Sequence, residues 1–404
     1  MHPQDFGPRS PGQLITLDAE GPAFAPRPLP PELVWSGALV RLLGEAERAL
    51  GELSGVGRRL PNPYLFTRPF VNREAVLSSR IEGTQASLSD LYALELGMPT
   101  LFPEAEVRED AREVQNYVRA LEHGLASDLP VSTRLLREMH AVLMSGVRGQ
   151  NRAPGELRRS QNWIGPAGAK RREATFVPAP PGPLLIEALS DLERFIHAQN
   201  DLPPLVEIAL VHYQFEALHP FLDGNGRIGR LLITLLLLDR QLLTQPLLYL
   251  SAYFERHRST YYDHLLAISQ RGEWEAWLAF FLRGVEHEAR DAAQRAQRLL
   301  DLREEWRTRY QQERASSNLL RATDRLLEQP FTTATQLQTE LGVVNRSAQL
   351  IVERLLRDGV LTEITGKQRG RVYRAQGVLD ILEMEQEPLT DNRQNRAIQT
   401  ITES

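Results

Sequence analysis

The spacing of the apolar residues constrains the fold of this chain more than any other feature, because these residues recur at intervals of three and four along most of its length. Between Pro31 and Leu53 the pattern is formed by Leu33, Val34, Leu39, Leu42, Leu43, Ala46, Leu50 and Leu53. Such spacing collects apolar side chains on one face of a helix. The same pattern predicts further helices over residues 72–82, 87–96, 106–126, 131–146, 184–199, 204–218, 227–243, 258–270 and 273–312. A mainly α-helical fold is therefore expected.

Two segments depart from the helical pattern. Residues 1–31 contain eight prolines, and because proline has no N–H to donate, we expect an extended lead-in without a regular element. Between Gly155 and Pro183, the short runs 162–164 and 175–177 are typical of strands and are separated by glycine and proline. They predict a small β-hairpin that stands on the helical body.

The C-terminal part of the chain has the pattern of a winged helix. It consists of helical stretches over 319–327, 335–341 and 345–356 and a short β-ribbon, the wing, over 360–374. Thr333 and Asn345 are suitable N-caps for the second and third of these helices.

Basic side chains of this module could meet DNA phosphates. They lie on the third helix and the wing, at Arg346, Arg354, Arg357, Lys367, Arg369, Arg371 and Arg374. Residues 318–383 nevertheless contain nine Lys and Arg against eight Asp and Glu, which is a net charge of only +1. A module that contacts protein or forms a homodimer fits this charge at least as well as one that binds DNA.

The length and composition limit the remaining classes. A chain of 404 residues predicts two or three domains, and the absence of Cys excludes disulfides, thiolate metal sites and a Cys nucleophile. The net charge is 47 − 52 = −5, which does not favour a protein whose main work is to coat nucleic acid. No apolar run approaches the ~18 residues of a membrane span, and no secretory signal is visible. The expected location is the cytoplasm, without membrane contact.

The segment His219-Pro220-Phe221-Leu222-Asp223-Gly224-Asn225-Gly226-Arg227-Ile228-Gly229-Arg230 carries the most chemical information. Gly224 and Gly226 allow close approach of a ligand to the backbone, and the helix that begins near Arg227 presents unpaired N–H groups. Arg227 and Arg230 are three apart, so both guanidinium groups can face one polyphosphate. Asp223 offers a hard oxygen ligand that suits Mg²⁺ on two phosphates. These residues together predict a site for a magnesium nucleotide.

His219 is the residue of this segment that titrates near neutral pH, so it could accept a proton from an incoming hydroxyl group. The alternative is an ordinary turn between two helices, with Asp223 and Asn225 as caps and the His and Arg side chains in solvent. Because so many chemically suited residues lie within twelve positions, we favour the functional interpretation.

These residues resemble the core motif of the Fic family, His-Pro-Phe-x-(Asp/Glu)-Gly-Asn-Gly-Arg-x-x-Arg, at every fixed position. Residues 160–165 and 176–181 resemble the flap hairpin of that family, although Ala179 replaces a more usual proline. Residues 78–84, Ser-Ser-Arg-Ile-Glu-Gly-Thr, resemble its inhibitory motif, Ser/Thr-x-x-x-Glu-Gly/Asn. The resemblance covers roughly residues 30–285.

The resemblance implies a protein adenylyltransferase, which transfers AMP from ATP to a Ser, Thr or Tyr hydroxyl of a target protein or of itself. It assigns the general base to His219, the Mg²⁺ ligand to Asp223 and the outer phosphates to Arg227 and Arg230. It also assigns an anion hole to Gly224, Asn225 and Gly226. By the same resemblance, Tyr262 would lie near the adenine, and Ile164 or Phe176 of the flap would hold the target segment.

The resemblance further implies autoinhibition by the motif of Ser78 and Glu82, in which Glu82 pairs with Arg230 and withholds it from the γ-phosphate. Other possibilities stay open at this stage. The core could sense nucleotide for a transcriptional regulator that uses the winged helix, transfer a different phosphate-containing group, or remove AMP.

The expected architecture is a Fic helical core with a small β-hairpin flap, followed by a C-terminal winged helix. The predicted parts are a Pro-rich lead-in (1–31), an N-terminal helical region with the inhibitory helix (32–105), a Fic catalytic core (106–290), a connecting helix (291–315), a winged-helix module (316–383) and a polar tail (384–404).

Overall fold

The computed structural model describes residues 1–18, 21–59, 63–97, 105–166, 168–366 and 368–384, and these are mostly helical, as predicted. The helices are α1 (Gly37–Arg59), α2 (Pro63–Ile81), α3 (Leu88–Glu95), α4 (Ala105–Ala126), α5 (Thr133–Leu143), α6 (Pro183–His197), α7 (Pro204–Leu218), α8 (Asn225–Asp239), α9 (Ser251–Arg256), α10 (Arg258–Arg271), α11 (Trp274–Gln312), α12 (Ser317–Glu328), α13 (Ala334–Leu341), α14 (Asn345–Arg357) and α15 (Gln376–Glu383). The strands are β1 (Gly12–Asp18), β2 (Gly21–Pro26), β3 (Phe331–Thr332), β4 (Thr362–Glu363) and β5 (Tyr373–Arg374).

Helices α7 and α8 form the centre of the fold. Nearly every residue of α7 and most of α8 are buried, and most of the residues of both helices are apolar. They pack against each other and against α4, α5, α6, α10 and α11. The loop that joins them, residues 219–224, is therefore held at the end of a rigid helical pair.

Helix α2 brings the predicted inhibitory segment to this loop. The helix packs against α4, α9 and α12 and ends at Ile81. Backbone N–H groups of Gly83 and Thr84 then donate to Arg80 and Ser79, which closes a tight turn. Gly83 has φ +104°, a conformation that favours glycine.

The prediction that residues 1–31 lack a regular element is wrong. Strands β1 and β2 pair antiparallel, with Gly12 opposite Pro26 and Thr16 opposite Pro22. Proline is tolerated in such a strand where its nitrogen faces away from the partner. The N–H of Phe24, between the two prolines of β2, instead donates to Val177 O at 2.8 Å and joins β2 to the flap.

The predicted flap hairpin is confirmed as one antiparallel bridge between Ile164 and Phe176. The N–H of Ile164 donates to Phe176 O at 2.8 Å, and the N–H of Phe176 donates to Ile164 O at 3.0 Å. The ring of Phe176 lies 5.7 Å from that of Phe24, so the N-terminal strands support the flap from behind.

Some helix boundaries differ from the predicted ones. Helix α2 begins at Pro63 rather than at residue 72, and α9 and α15 were not predicted. Helix α11 runs without a break from Trp274 to Gln312, so the predicted division between a core ending at 290 and a connecting helix starting at 291 falls inside one helix.

The C-terminal module contains α12, α13 and α14 and a small antiparallel sheet in the order β3, β5, β4. Thr333 caps α13 in a capping box with Gln336, as predicted. The prediction of Asn345 as the next N-cap is wrong, because Val344 occupies that position and the Asn345 amide donates to Gln338 instead.

The module packs directly on the rest of the chain. The ring of Phe331 stacks on Tyr92 of α3 at 5.5 Å, and the buried Arg295 of α11 donates to the carbonyls of Ile381 and Leu382. Its apolar residues belong to the same core cluster as those of α7 and α8. Lys367 of the predicted wing and residues 385–404 of the predicted tail lie outside the described residues.

None of the helices in the described ranges combines the length and the apolar composition that a bilayer span requires.

Candidate functional site

A cleft of about 540 Å³ lies between the flap, the α7–α8 pair, α10 and the turn after α2. It is lined by Glu82, Trp163, Ile164, Gly165, Thr175, Phe176, Tyr213, Glu216, Ala217, His219, Gly226, Arg230, Arg258, Tyr261, Tyr262, Asp263, Leu265, Leu266 and Ser269. The structure thus brings the predicted base, one predicted anion-hole glycine, one predicted phosphate arginine and the predicted inhibitory glutamate to one cavity.

His219 ends α7 in a left-handed conformation, with φ 47°. Its Nδ1 lies 3.3 Å from Glu216 O, and since a carbonyl can only accept, Nδ1 carries the proton and Nε2 keeps a lone pair. Burial lowers the pKa of His219 to about 4. The imidazole is therefore neutral at pH 7 and ready to accept a proton at Nε2.

The loop after His219 is fixed by side chains from outside the motif. Buried Arg158 donates from Nε to His219 O at 2.9 Å and from Nη2 to Ala179 O and Leu218 O. Asn162 of the flap donates to Phe221 O at 2.8 Å and to His219 O at 3.2 Å. These donors satisfy the loop carbonyls that a tight bend leaves without helical partners.

Asn225 contributes to the same loop through its side chain. The amide oxygen accepts from Phe221 N at 2.8 Å and the amide nitrogen donates to Phe221 O at 2.9 Å. Asn225 is buried, so its side chain holds the bend closed, while its backbone belongs to the first turn of α8.

Asp223 presents its carboxylate next to this bend, with its side chain about 47% exposed. Its Oδ1 accepts from Gly224 N at 2.6 Å. Its backbone carbonyl accepts from Nε2 of His140 at 2.9 Å, and the other ring nitrogen of His140 accepts from Gly155 N at 2.8 Å. His140 also stacks on Phe221 at 3.9 Å, so it is a positioning residue for Asp223.

The two motif arginines have different surroundings. Arg227 is buried against α4, where its Nη1 lies 3.4 Å from Glu113 Oε2, and its Nη2 lies 3.6 Å from Asp223 Oδ1. Glu113 is also bound by Arg148 at 2.6 Å. Arg227 therefore supports Asp223, whereas Arg230 lines the cleft.

Arg230 is buried, and its guanidinium group is held by the predicted inhibitory motif. Its Nε donates to Ser78 Oγ at 2.8 Å, and its Nη2 donates to Ser78 O at 3.0 Å and to Glu82 Oε1 at 2.7 Å. Ser78 lies in the last turn of α2, and Glu82 follows the end of the helix.

Glu82 and Arg230 each stabilise the charged form of the other. Burial has the largest single effect and raises the pKa of the Glu82 carboxyl, but Arg230, Arg227 and His219 together outweigh it, so the net pKa lies below its usual value. Burial has the largest single effect and lowers the pKa of Arg230, but Glu82 together with Tyr261 and Tyr262 outweighs it, so the net pKa is raised. Both groups therefore stay charged at pH 7.

The Glu82 carboxylate also covers the start of α8. A Cβ atom added at Gly226 would overlap Glu82 Oε1, so the carboxylate lies directly against the backbone of that glycine. Gly224 caps α8 with φ 76° and leaves the first N–H groups of the helix without a side-chain cap. Unpaired N–H groups at a helix start bind anions, and here a carboxylate of the same chain lies there.

The far end of the cleft is formed by α7 and α10. Tyr262 is about 39% exposed and faces the cleft, whereas Tyr261 is buried and stacks on Phe254 at 4.5 Å. The hydroxyl of Tyr213 lies 2.9 Å from Ser269 Oγ. Of the two flap residues predicted to hold a target, Ile164 is partly exposed, but the side chain of Phe176 is buried against Phe24.

His212, seven residues before His219 on α7, is a buried, packed histidine. Its Nδ1 donates to Gly229 O at 3.1 Å, so its Nε2 accepts from the Tyr261 hydroxyl at 2.8 Å. Within the described part of the chain, no group of three His, Cys, Asp or Glu side chains could hold a metal ion by itself.

Comparison with known families agrees with this arrangement. Residues 40–126 match the model of the Fic/DOC family N-terminal region, and residues 130–237 match the model of the Fic/DOC family. The chain belongs to the Fic/DOC family. The two matches contain the Glu82 turn and the whole of the His219 loop, respectively.

Curated relatives are named protein adenylyltransferase Fic. The one from Drosophila grimshawi is 27% identical over 159 residues, which cover 39% of this chain and 29% of that protein. The one from Drosophila yakuba is 26% identical over 239 residues, which cover 58% and 43%. The matched part thus spans less than half the length of these relatives.

A crystal structure of a Fic family protein from Desulfovibrio desulfuricans G20 has a similar fold. Its TM-score is 0.55 at 21% sequence identity, and the match covers 86% of this chain and 98% of that one. The likeness extends the Fic-family fold over most of the described chain.

Several residues of this Fic-family site were not predicted from the sequence. Arg158, His140 and Glu113 lie 61 or more residues before the loop positions that they hold, outside any recognisable spacing. Glu216, which lies three positions before His219, did offer a signal, because a glutamate near the end of a mostly apolar, buried helix needs a partner or a ligand.

Proposed function

We propose that this chain is a protein adenylyltransferase that Glu82 holds in a low-activity state. One observation carries the proposal: a neutral histidine with a free Nε2 lines the same cleft as a helix start and a buried arginine, both of which Glu82 covers. The names of the curated relatives support the same activity.

In the proposed reaction, His219 acts on a hydroxyl group of a target protein. The hydroxyl oxygen bonds to the α-phosphorus of ATP, the bond from that phosphorus to the bridging oxygen of the β-phosphate breaks, and pyrophosphate leaves. The hydroxyl proton passes to His219 Nε2. Because Glu216 O accepts from Nδ1, the ring is already oriented for this transfer.

The start of α8 would bind the phosphates. The N–H groups that follow Gly224 favour negative charge, and Gly226 leaves room for it. Arg230 would contact the outer phosphates once Glu82 has left. Positioning and electrostatic stabilisation of this kind supply most of the acceleration in phosphoryl transfer.

The carboxylate of Asp223 would hold Mg²⁺. Its side chain is half exposed and its Oδ1 is oriented by Gly224 N, so one carboxylate is available for an ion that usually keeps waters and phosphate ligands as well. The ion would neutralise charge on the phosphates. Arg227 and His140 would keep the carboxylate in place.

Inhibition would follow from competition for one arginine. The Glu82 carboxylate occupies the guanidinium group that a γ-phosphate needs and lies against the backbone that the phosphates would approach. A nucleotide must therefore displace it or bind in a pose that is misaligned for attack.

The test is self-modification with labelled ATP and Mg²⁺. Loss of a hydrogen bond between charged groups changes free energy by about 1.5–3 kcal/mol, so Glu82→Gly should raise labelling by about 10- to 100-fold. Adding His219→Ala to that variant should lower it by about 10²- to 10⁴-fold. Labelled target protein in a cell lysate should follow the same order.

The exposed Gln85, in the segment that follows the same turn, provides the matched control. If Gln85→Gly raises labelling as much as Glu82→Gly, flexibility of this segment and not the carboxylate governs the activity. Labelling that does not depend on His219 would contradict the enzyme and favour a nucleotide sensor. Unlabelled CTP, GTP and UTP as competitors would reveal a different donated group.

A further inference from the structure

The side chain of Glu216 has no role in the proposed reaction, although it lines the cleft. It projects from the last turn of α7, between His219 and Tyr213. Its Oε1 is buried and has no hydrogen-bond partner among the described residues. Leaving a buried polar atom without a partner costs about 1–3 kcal/mol, so this atom calls for a physical explanation.

The position of this carboxylate depends on a glycine of α8. A Cβ atom added at Gly229 would overlap Glu216 Oε1, so only glycine leaves room for the carboxylate there. Gly226, one turn earlier on the same face of α8, leaves room in the same way for Glu82. The α8 helix therefore has two places where an oxygen atom lies directly against its backbone.

The spacing of residues on helix α7 gives approximate distances along the cleft. His219, Glu216 and Tyr213 are spaced by three residues on one face, which is about 4.5 Å of rise per step. In the proposed reaction His219 lies at the α-phosphorus, and Tyr213 lies at the far end with Ser269 and close to α10. A nucleotide that fills the cleft from one end to the other would place its sugar at the middle step.

We infer that the Glu216 carboxyl group binds a ribose hydroxyl of the nucleotide and makes the cleft selective for ribonucleotides. The inference rests on the proposed function. The hydroxyl would donate to the buried Oε1 and satisfy it. Carboxylates bind ribose hydroxyls in the same manner in dinucleotide-binding folds.

The phosphates and the base of a nucleotide fit Glu216 less well than the sugar does. Phosphate oxygens are acceptors, so they cannot donate to the unpaired Oε1, and their negative charge is repelled by the ionised form of Glu216. The amino group of adenine lies on the edge of the base, farther from the phosphates than the sugar is. Burial raises the pKa of Glu216 to about 7, so near neutral pH the group can also donate to a hydroxyl oxygen.

Pairing with Arg230 is the competing role for Glu216. Arg230 lowers the pKa of Glu216, so the two groups interact, but the hydrogen bonds of the guanidinium group go to Ser78 and Glu82. A role through Arg230 would act on the phosphates and would be felt equally by every nucleoside triphosphate. A role at the sugar would be felt only by nucleotides that carry the hydroxyl.

The experiment compares ATP, 2′-deoxy-ATP and 3′-deoxy-ATP by isothermal titration calorimetry with the Glu82→Gly protein. We expect ATP to bind about tenfold more tightly than at least one of the deoxy analogues, because loss of a hydroxyl leaves a buried acceptor unpaired. In the Glu82→Gly/Glu216→Met protein, ATP should weaken to the level of that analogue. Binding of the analogue itself should change by less than about threefold.

Asp263→Ala is the matched control, because Asp263 lines the same cleft with an exposed carboxylate. It should leave the ratio of ATP to deoxy-ATP affinities unchanged. Equal binding of all three nucleotides by the Glu82→Gly protein would overturn the inference, as would a ratio that survives Glu216→Met or a uniform loss for all three. If ATP does not bind at all, the proposed function itself fails, and this result is distinct from the others.

Discussion

The loop of residues 219–224 and the turn of residues 82–84 lie against the same helix start but are held in different ways. The carbonyls of the loop receive hydrogen bonds from Arg158, Asn162, Asn225 and His140, which come from three separate segments. The turn reaches the site through one carboxylate, and apart from its chain neighbours no described residue lies within 4 Å of where a Cβ atom of Gly83 would be.

The difference indicates which part of the site can move. Removing any one bond from the loop leaves several others, so its geometry is fixed before a nucleotide arrives. The Glu82 carboxylate can leave by breaking one charge-assisted contact, because its side chain is about one-third exposed. A rigid catalytic loop and a detachable blocking group together fit an enzyme that is regulated by displacement.

The largest effect is expected from a substitution that loosens the loop of residues 219–224, and it tests whether this loop is the rigid part of the site. Arg158→Met keeps an unbranched side chain but removes the donor that Arg158 gives to the carbonyls of Leu218 and Ala179, and leaves His219 O with Asn162 alone. We expect labelling in the Glu82→Gly background to fall by about 10²-fold, since a displacement of about 1 Å has effects of this size. The free energy of unfolding should fall by about 2–4 kcal/mol, measured by chemical denaturation.

The neighbouring Arg159 is about 90% exposed and provides the control for this prediction. Arg159→Met should change neither labelling nor stability appreciably. If Arg158→Met also leaves labelling intact, the loop does not depend on its donors and the contrast with the turn disappears.

A substitution with a smaller expected effect tests how strongly the inhibitory segment holds Arg230. Ser78→Ala removes the hydroxyl that accepts from Arg230 Nε and so weakens the grip of the inhibitory segment on the guanidinium group. The bond joins a neutral hydroxyl to a charged guanidinium group, and such a bond contributes about 1.5 kcal/mol, so self-modification should rise by about tenfold, at the low end of the range for Glu82→Gly.

Ser79 is the matched control, because it is also buried in α2 and its hydroxyl has no partner among the residues that the structure describes. Ser79→Ala should leave the rate unchanged. A fall in labelling with Ser78→Ala would mean that Ser78 holds Arg230 for catalysis and not against it.

Sequence patterns predicted local structure well and long-range support poorly. The spacing of apolar residues located most helices, because burial of one helix face is a local property of the chain. The twelve residues of the central motif lie in one loop, so their proximity needed no knowledge of the fold. Arg158 and His140 could not be predicted in this way, since they approach the loop only after α5 and the flap have packed against α7 and α8.

Strands β1 and β2 also depend on long-range contacts, and for this reason the local sequence did not predict them. The number of prolines in residues 1–31 predicted no strand. In β2, however, residues 23–25 between the two prolines carry backbone N–H groups that can donate hydrogen bonds. The decisive bond, from Phe24 N to Val177 O, joins segments more than 150 residues apart. Local composition could not reveal that the flap supplies a partner for this strand.

A pH experiment tests whether α2 is anchored at the level of Glu74, one turn before Ser78. Glu74 is buried and accepts from Tyr117 and Ser251, and burial raises its pKa to about 7 from a usual value near 4.5. The folded state therefore binds a proton that the unfolded state has lost between about pH 4.5 and 7, so this group's contribution to stability decreases as the pH rises through that window. Glu74→Gln cannot titrate and should gain stability relative to the wild type on going from pH 5 to pH 8, by about 2–4 °C in Tm.

The same measurement on Glu82→Gln should show no such gain, because the pKa of Glu82 is lowered and Arg230 stabilises its charge. A pH-independent Tm difference for Glu74→Gln would show that Glu74 stays charged in the core, and α2 would then be anchored by an ion pair instead of by burial.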